Sequence, residues 1–268
     1  MKKILILGIV ITLLVGGYFL LAKPKNEKKE QEEITPTPEN NEGKVLEFGV
    51  SNPLVMLYPR ADGHAVNLEI SKLTGITTVS YEMIYQTKTQ QEGTLGTPID
   101  LKPGETSLER ELLFGTCSKN VCRYHEGVES GSLTVRFTKA GGIADEWRTD
   151  FKLQAPTEKK LTSPDKNFII ELTNPLSLFT ITTPVSSLPS PIENKTIVGK
   201  PYAVFPSSPY KSKNIKLTIQ VENPDSTMKV YGWDNDKAEW IEYQGEVDAE
   251  NKTITAKVDR LTIFAVVK

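Results

Sequence analysis

The sequence predicts a mainly β protein, two tandem antiparallel β-sandwich domains behind one N-terminal transmembrane helix. Three observations point there. Short runs rich in Val, Ile, Thr, Tyr and Phe recur, broken by Gly, Pro, Asn or Asp about every 8–14 residues. No segment after residue 34 sustains a helical period over three turns. Residues 4–22 carry no charged side chain.

The first element is the leading segment. Behind the flank Met1-Lys2-Lys3 runs ILILGIVITLLVGGYFLLA, residues 4–22. Its 19 residues would rise about 28 Å as a helix, close to the thickness of a bilayer's hydrocarbon core. A cleaved signal peptide is the competing reading. Its apolar region is usually shorter, and the one cleavage candidate, Leu20-Leu21-Ala22, places a bulky Leu where a small residue is needed. Gly16-Gly17 and the lack of a polar face argue against a buried core helix.

Positive charge does not set the orientation, because Lys2 and Lys3 face Lys23, Lys25, Lys28 and Lys29 across the span. The N-terminal anchor, a close cysteine pair and a Pro/Thr spacer favour a cell-membrane, single-pass protein with the bulk of the chain extracytoplasmic. No second apolar span precedes Lys268, so the anchor is expected at the N-terminal end alone.

Residues 23–44 hold one aliphatic side chain, Ile34, and no aromatic one. Such a stretch cannot bury enough apolar area to offset its ordering entropy, and is expected to be a disordered stalk. A second shift in composition at 156–167 predicts a linker between domains at 45–155 and 168–268. In the first, strands are expected at Leu54–Tyr58, Ala65–Ile70, Thr78–Tyr85, Ser107–Leu113, Ser132–Phe137 and Trp147–Leu153. In the second they are expected at Phe168–Leu172, Leu178–Thr182, Tyr202–Phe205, Ile215–Val221, Met228–Trp233, Trp240–Tyr243, Thr253–Val258 and Thr262–Val267. Alternation is plain where Ile254, Ala256 and Val258 interleave with Thr253, Thr255 and Lys257.

The last part of the chain carries a recognisable order of motifs. Val230-Tyr231-Gly232-Trp233, a polar turn and Trp240-Ile241 are followed by Val247-Asp248, by Asn251–Val258, and by Phe264-Ala265-Val266. Gly199-Lys200-Pro201-Tyr202 and Ile215–Val221 fit the strands ahead of it. Over about 190–268 this resembles the immunoglobulin-like, ZU5-like β-sandwich modules of bacterial and archaeal surface proteins. The resemblance implies an immunoglobulin-like fold and extracellular display, and no particular activity, since such modules serve as spacers and as binding domains. Residues 45–155 match no family in this way.

Composition excludes several functions. With 32 basic and 34 acidic residues the net charge is −2, which gives no footprint for nucleic acid. Two Cys and two His leave little for a multi-ligand metal site. Cys117-Ser-Lys-Asn-Val-Cys122 places two thiols across a tight turn, the spacing of a disulfide in an oxidising compartment. A zinc site drawing on Cys117, Cys122, His125 and His64 matches no common ligand spacing.

Trp233 and Trp240 flank Asp234–Glu239, an even-length loop that sets the two indoles opposite one another, with Tyr231 on the same face. They are expected to clamp the hairpin, or, with Tyr231, to form a ligand platform for a glycan or peptide. Asp234, Asp236 and Glu239 lack the Gly and the full oxygen set of a calcium loop.

Catalytic groups are not expected. Asp62-Gly63-His64 places a base and its orienter too close within one turn, and Ser130 in GVESGS is not a nucleophile elbow. Glu109 and Glu111 share a strand face without a positioned partner, and Gly93–Gly96 is a turn and not a phosphate loop. The reading is therefore a membrane-anchored, non-catalytic structural or binding protein of the cell envelope, without cofactor or metal. Its partners are the membrane, through 4–22, and an envelope protein or glycan. The alternatives are an adhesin using the Trp233/Trp240 hairpin, and an envelope enzyme or accessory subunit with its site in the first domain.

Overall fold

The computed structural model describes residues 43–119 and 121–268. The expected anchor at 4–22, its flank at 1–3 and most of the expected stalk lie outside the described residues. Twenty strands, and no helix, occur among those described.

In the first half these are β1 (Leu54–Pro59), β2 (Ala65–Ser71), β3 (Ile76–Gln86), β4 (Gln91–Leu95), β5 (Ile99–Asp100), β6 (Ser107–Leu113), β7 (Gly115–Ser118), β8 (Val121–Tyr124), β9 (Ser130–Lys139) and β10 (Ala144–Gln154). In the second half they are β11 (Lys160–Thr162), β12 (Phe168–Leu172), β13 (Thr180–Pro184), β14 (Ile197–Pro206), β15 (Lys211–Gln220), β16 (Lys229–Asp234), β17 (Glu239–Tyr243), β18 (Gly245–Asp248), β19 (Thr253–Arg260) and β20 (Ile263–Val267). Every expected run falls on a strand. The six strands not foreseen, β4, β5, β7, β8, β11 and β18, are short, and most are polar and exposed.

The strands form antiparallel sheets. One three-stranded sheet has the order β1-β2-β6, and a five-stranded sheet the order β11-β12-β15-β19-β18. A ten-stranded sheet runs β17-β16-β20-β14-β13-β10-β9-β3-β4, with β5 on β3. The pair β7-β8 stands alone.

The large sheet corrects the expectation of two domains separated by a linker. It passes from one half of the chain to the other where β10 pairs with β13, Leu153 opposite Ile181. Part of the expected linker, Lys160–Thr162, is itself a strand paired with β12.

Period-two alternation then distributes two cores over the two faces of this sheet. Along β14 and β20, Ala203, Phe205, Ile263 and Ala265 join a core with β1, β2 and β6. The intervening Tyr202, Val204, Phe264 and Val266 join a second core with β12, β15 and β19. This is why β20 reads IFAVV, buried at every position: a strand covered on both sides has no polar face to keep. Strand β9 is covered on one side only. Leu133, Val135 and Phe137 are buried, whereas Arg136 points outward to pair with Glu146, which also holds Arg148.

Candidate functional site

Strand ends from both halves of the chain converge on a cleft of about 310 Å3. β1 delivers Tyr58 and the following turn Arg60; β14 delivers Phe205, and the loop after it Ser207 and Tyr210. β16 supplies Trp233 and Asp234, and β19 supplies Arg260. Tyr58, Phe205 and Trp233 each sit one residue before the end of their strands and belong to the first core or pack against it, whereas Tyr210, on the loop, packs against the second. Tyr58 and Phe205 meet at 4.8 Å between ring centroids. The Thr262 hydroxyl donates to the Trp233 carbonyl at 2.9 Å, tying the turn after β19 to the end of β16.

A buried charge cluster forms one wall. The Arg260 guanidinium holds Asp259 with two hydrogen bonds, Nε to Oδ1 at 2.8 Å and Nη2 to Oδ2 at 2.9 Å. Its Nη1 lies 2.7 Å from Asp234 Oδ2, an ionic contact whose N–H is turned off the line to the oxygen. Burial works to raise the Asp234 carboxyl, but Arg260 and the amides of Asp236 and Lys237 hold it below the usual carboxylate range. Asp259, gripped by Arg260 and bonded by the Tyr243 hydroxyl, is drawn down to about 2. Burial, with the Glu69 carboxylate nearby, pushes the Tyr58 phenol up to about 12.

At the mouth, Lys211 pairs with Asp236, and Arg60 holds Asp62 and Glu111, each at 2.8 Å. Ser207 Oγ is buried and has no hydrogen-bond partner among the described residues.

The expected ligand platform takes a different form. Trp233 stands opposite Trp240 in register, but the rings meet edge to face at 66° and 5.2 Å. Trp233 is only 9% exposed, and the Trp240 indole donates to the Ser190 carbonyl at 3.0 Å. Tyr231 is engaged across the strands by Glu242, to which its hydroxyl donates at 2.6 Å. Two crossed rings, one of them buried, do not make a flat stacking surface. The pair clamps the hairpin, and Trp233 contributes to the cleft instead. The three carboxylates weighed for calcium are all in ion pairs: Asp234 with Arg260, Asp236 with Lys211, and Glu239 with Lys237.

Cys117 and Cys122 face each other across β7 and β8 and form a disulfide, with Cα atoms 4.0 Å apart. The histidines are engaged elsewhere. His64 stacks on Tyr124 at 4.5 Å, with Nδ1 3.6 Å from Asp62 Oδ2, and the Arg60 guanidinium sits 5.3 Å from the same Tyr124 ring centre. His125 Nδ1 lies 3.1 Å from the Tyr85 hydroxyl. Among the described residues no three His, Cys, Asp or Glu side chains gather as a metal site.

The charge cluster was not foreseen. Asp234 and Arg260 lie far apart in sequence and meet only because β16 and β19 end beside the same turn. The one available signal was Asp259-Arg260, a charged pair abutting the apolar LTIFAVV run. Comparison with family models, curated proteins and solved structures finds no match to the chain.

Proposed function

We propose that the protein is a single-pass, N-terminally anchored component of the cell envelope whose β-rich part lies outside the membrane. There it acts as a binding module without catalysis. The cleft carries the binding reading. It joins aromatic walls to polar groups whose charges are already paired, and neither histidine lines it. A nucleophile needs a base beside it, and the Ser207 hydroxyl has no hydrogen-bond partner among the described residues to act as one.

The uncharged run at 4–22, the polar stretch at 23–44 and a disulfide within a short hairpin support the envelope location. So does the likeness of 190–268 to immunoglobulin-like modules of surface proteins, the finer fold reading that this proposal adopts for the C-terminal part.

Fractionation of cells producing the full-length chain tests the location. The protein should pellet with membranes and resist extraction by salt and carbonate. Replacing Leu13 and Leu14 by Arg should release it or block its insertion, since each charge at a span's centre opposes insertion by about 2.5–3.5 kcal/mol. Recovery of the unaltered chain in the soluble cytosolic fraction would overturn the proposal.

A further inference from the structure

The chemistry of the cleft narrows the ligand class. Its cations are Arg60, Lys211 and Arg260, and each is already matched: Arg60 by Asp62 and Glu111, Lys211 by Asp236, Arg260 by Asp234 and Asp259. An anionic ligand would meet a carboxylate beside every cation, and a cationic ligand would meet a cation beside every carboxylate. A wholly apolar ligand would leave the carboxylate edges and the Asn67 and Asn235 amides that line the cleft without partners.

What remains is a neutral molecule with many hydroxyls and an apolar face. Each hydroxyl donates one hydrogen bond and accepts two, so it can add to paired carboxylate and guanidinium groups without separating them. The ring's C–H face would lie against Tyr58, Tyr210 or Trp233. Ser207 Oγ, buried and idle in the free protein, would gain a partner once its side chain rotates toward the ligand. The volume of about 310 Å3 stands at the small end of ligand sites, which run from about 300 to 1,000 Å3.

We infer that this cleft holds one neutral sugar unit, either a free monosaccharide or the end of a glycan chain. The inference rests on the cleft being a binding site, as proposed above, and not on where the protein resides.

The test uses the full-length chain in detergent micelles, with tryptophan fluorescence titrated by glucose, galactose, mannose and N-acetylglucosamine. Glucuronate and glucosamine serve as charged counterparts. At least one neutral sugar should give a saturable change, with the charged rings at least about tenfold weaker. Ser207→Ala should weaken that binding about five- to tenfold, the loss of one hydrogen bond, while leaving Tm unchanged or higher. Tyr210→Ala, on the rim, should weaken it in a protein that remains folded.

Weakening by either variant supports the assignment. It is overturned if none of the four sugars binds, if a charged ring binds more tightly than the neutral ones, or if binding is indifferent to both variants. A membrane-bound protein that binds no sugar removes this inference alone, whereas a cytosolic protein that binds sugar removes only the envelope reading.

Discussion

Arg260 reaches Asp234 across a gap of 2.7 Å at the cleft wall, with side chains only 10% and 4% exposed. A charge pair taken this far out of water is held by its partners, and removing one leaves the other uncompensated. Asp234→Ala should therefore destabilise the protein by about 1.5–3 kcal/mol, less than a fully isolated pair would lose, because Arg260 keeps Asp259. Pairing Asp234→Leu with Arg260→Met should restore part of that loss. Urea unfolding of the single and double variants measures both.

Acid should unfold the protein through the same carboxylates. Asp259 sits at about 2 in the folded state against 3.8 unfolded, and Asp234 is also held low. The unfolded chain thus takes up protons first as pH falls. The stabilisation is complete above 3.8 and is lost as pH drops toward 2. Tm followed over that window should fall steeply for the parent and less steeply for Asp259→Asn.

Glu69 behaves in the opposite sense. It lies directly across from Glu109 between β2 and β6, and burial together with that neighbour raises its carboxyl above the ordinary 4.5. A raised carboxyl opposes folding when ionised, and the opposition disappears as pH falls through its folded value. Glu69→Gln should stabilise the protein at pH 7 by about 0.2–1 kcal/mol and give no gain in acid. Parallel melts at the two pH values check it.

Reduction of Cys117–Cys122 should loosen the exposed β7–β8 hairpin before it affects either core. Closing so short a loop contributes about 2 kcal/mol on the chain-entropy model. The hairpin's described side chains are almost all exposed, so little packing depends on them. Trypsin should cut beside Lys119 or Arg123 in the reduced protein and spare the oxidised one, with Tm lowered by at most about 4–8 °C.

Alternation made the strands legible: Ile254, Ala256 and Val258 announce β19 as clearly as Leu133, Val135 and Phe137 announce β9. The join between the halves was not legible, because it is a polar seam. Where β10 meets β13 the pairing is short, and it is completed by Gln154 donating to the Thr182 hydroxyl at 3.1 Å and by Thr149 meeting Thr183 at 2.9 Å. The polar, Pro-bearing segment at 156–167 reads as a linker, and nothing local shows that the strands on either side of it pair. The cleft was hidden for a related reason. The even loop Asp234–Glu239 fixes Trp233 opposite Trp240, but no local pattern tells that Tyr58 and Arg260 line a cleft with Trp233.

The most direct measurement of the account is surface labelling of intact cells producing the full-length chain, using an amine reagent that cannot cross membranes. Lys237, 67% exposed at the β16–β17 turn, should be labelled before lysis, and Cys117 and Cys122 should resist alkylation until a reductant is added. Label that reaches Lys237 only after the cells are broken, together with thiols that alkylate without reduction, would contradict it.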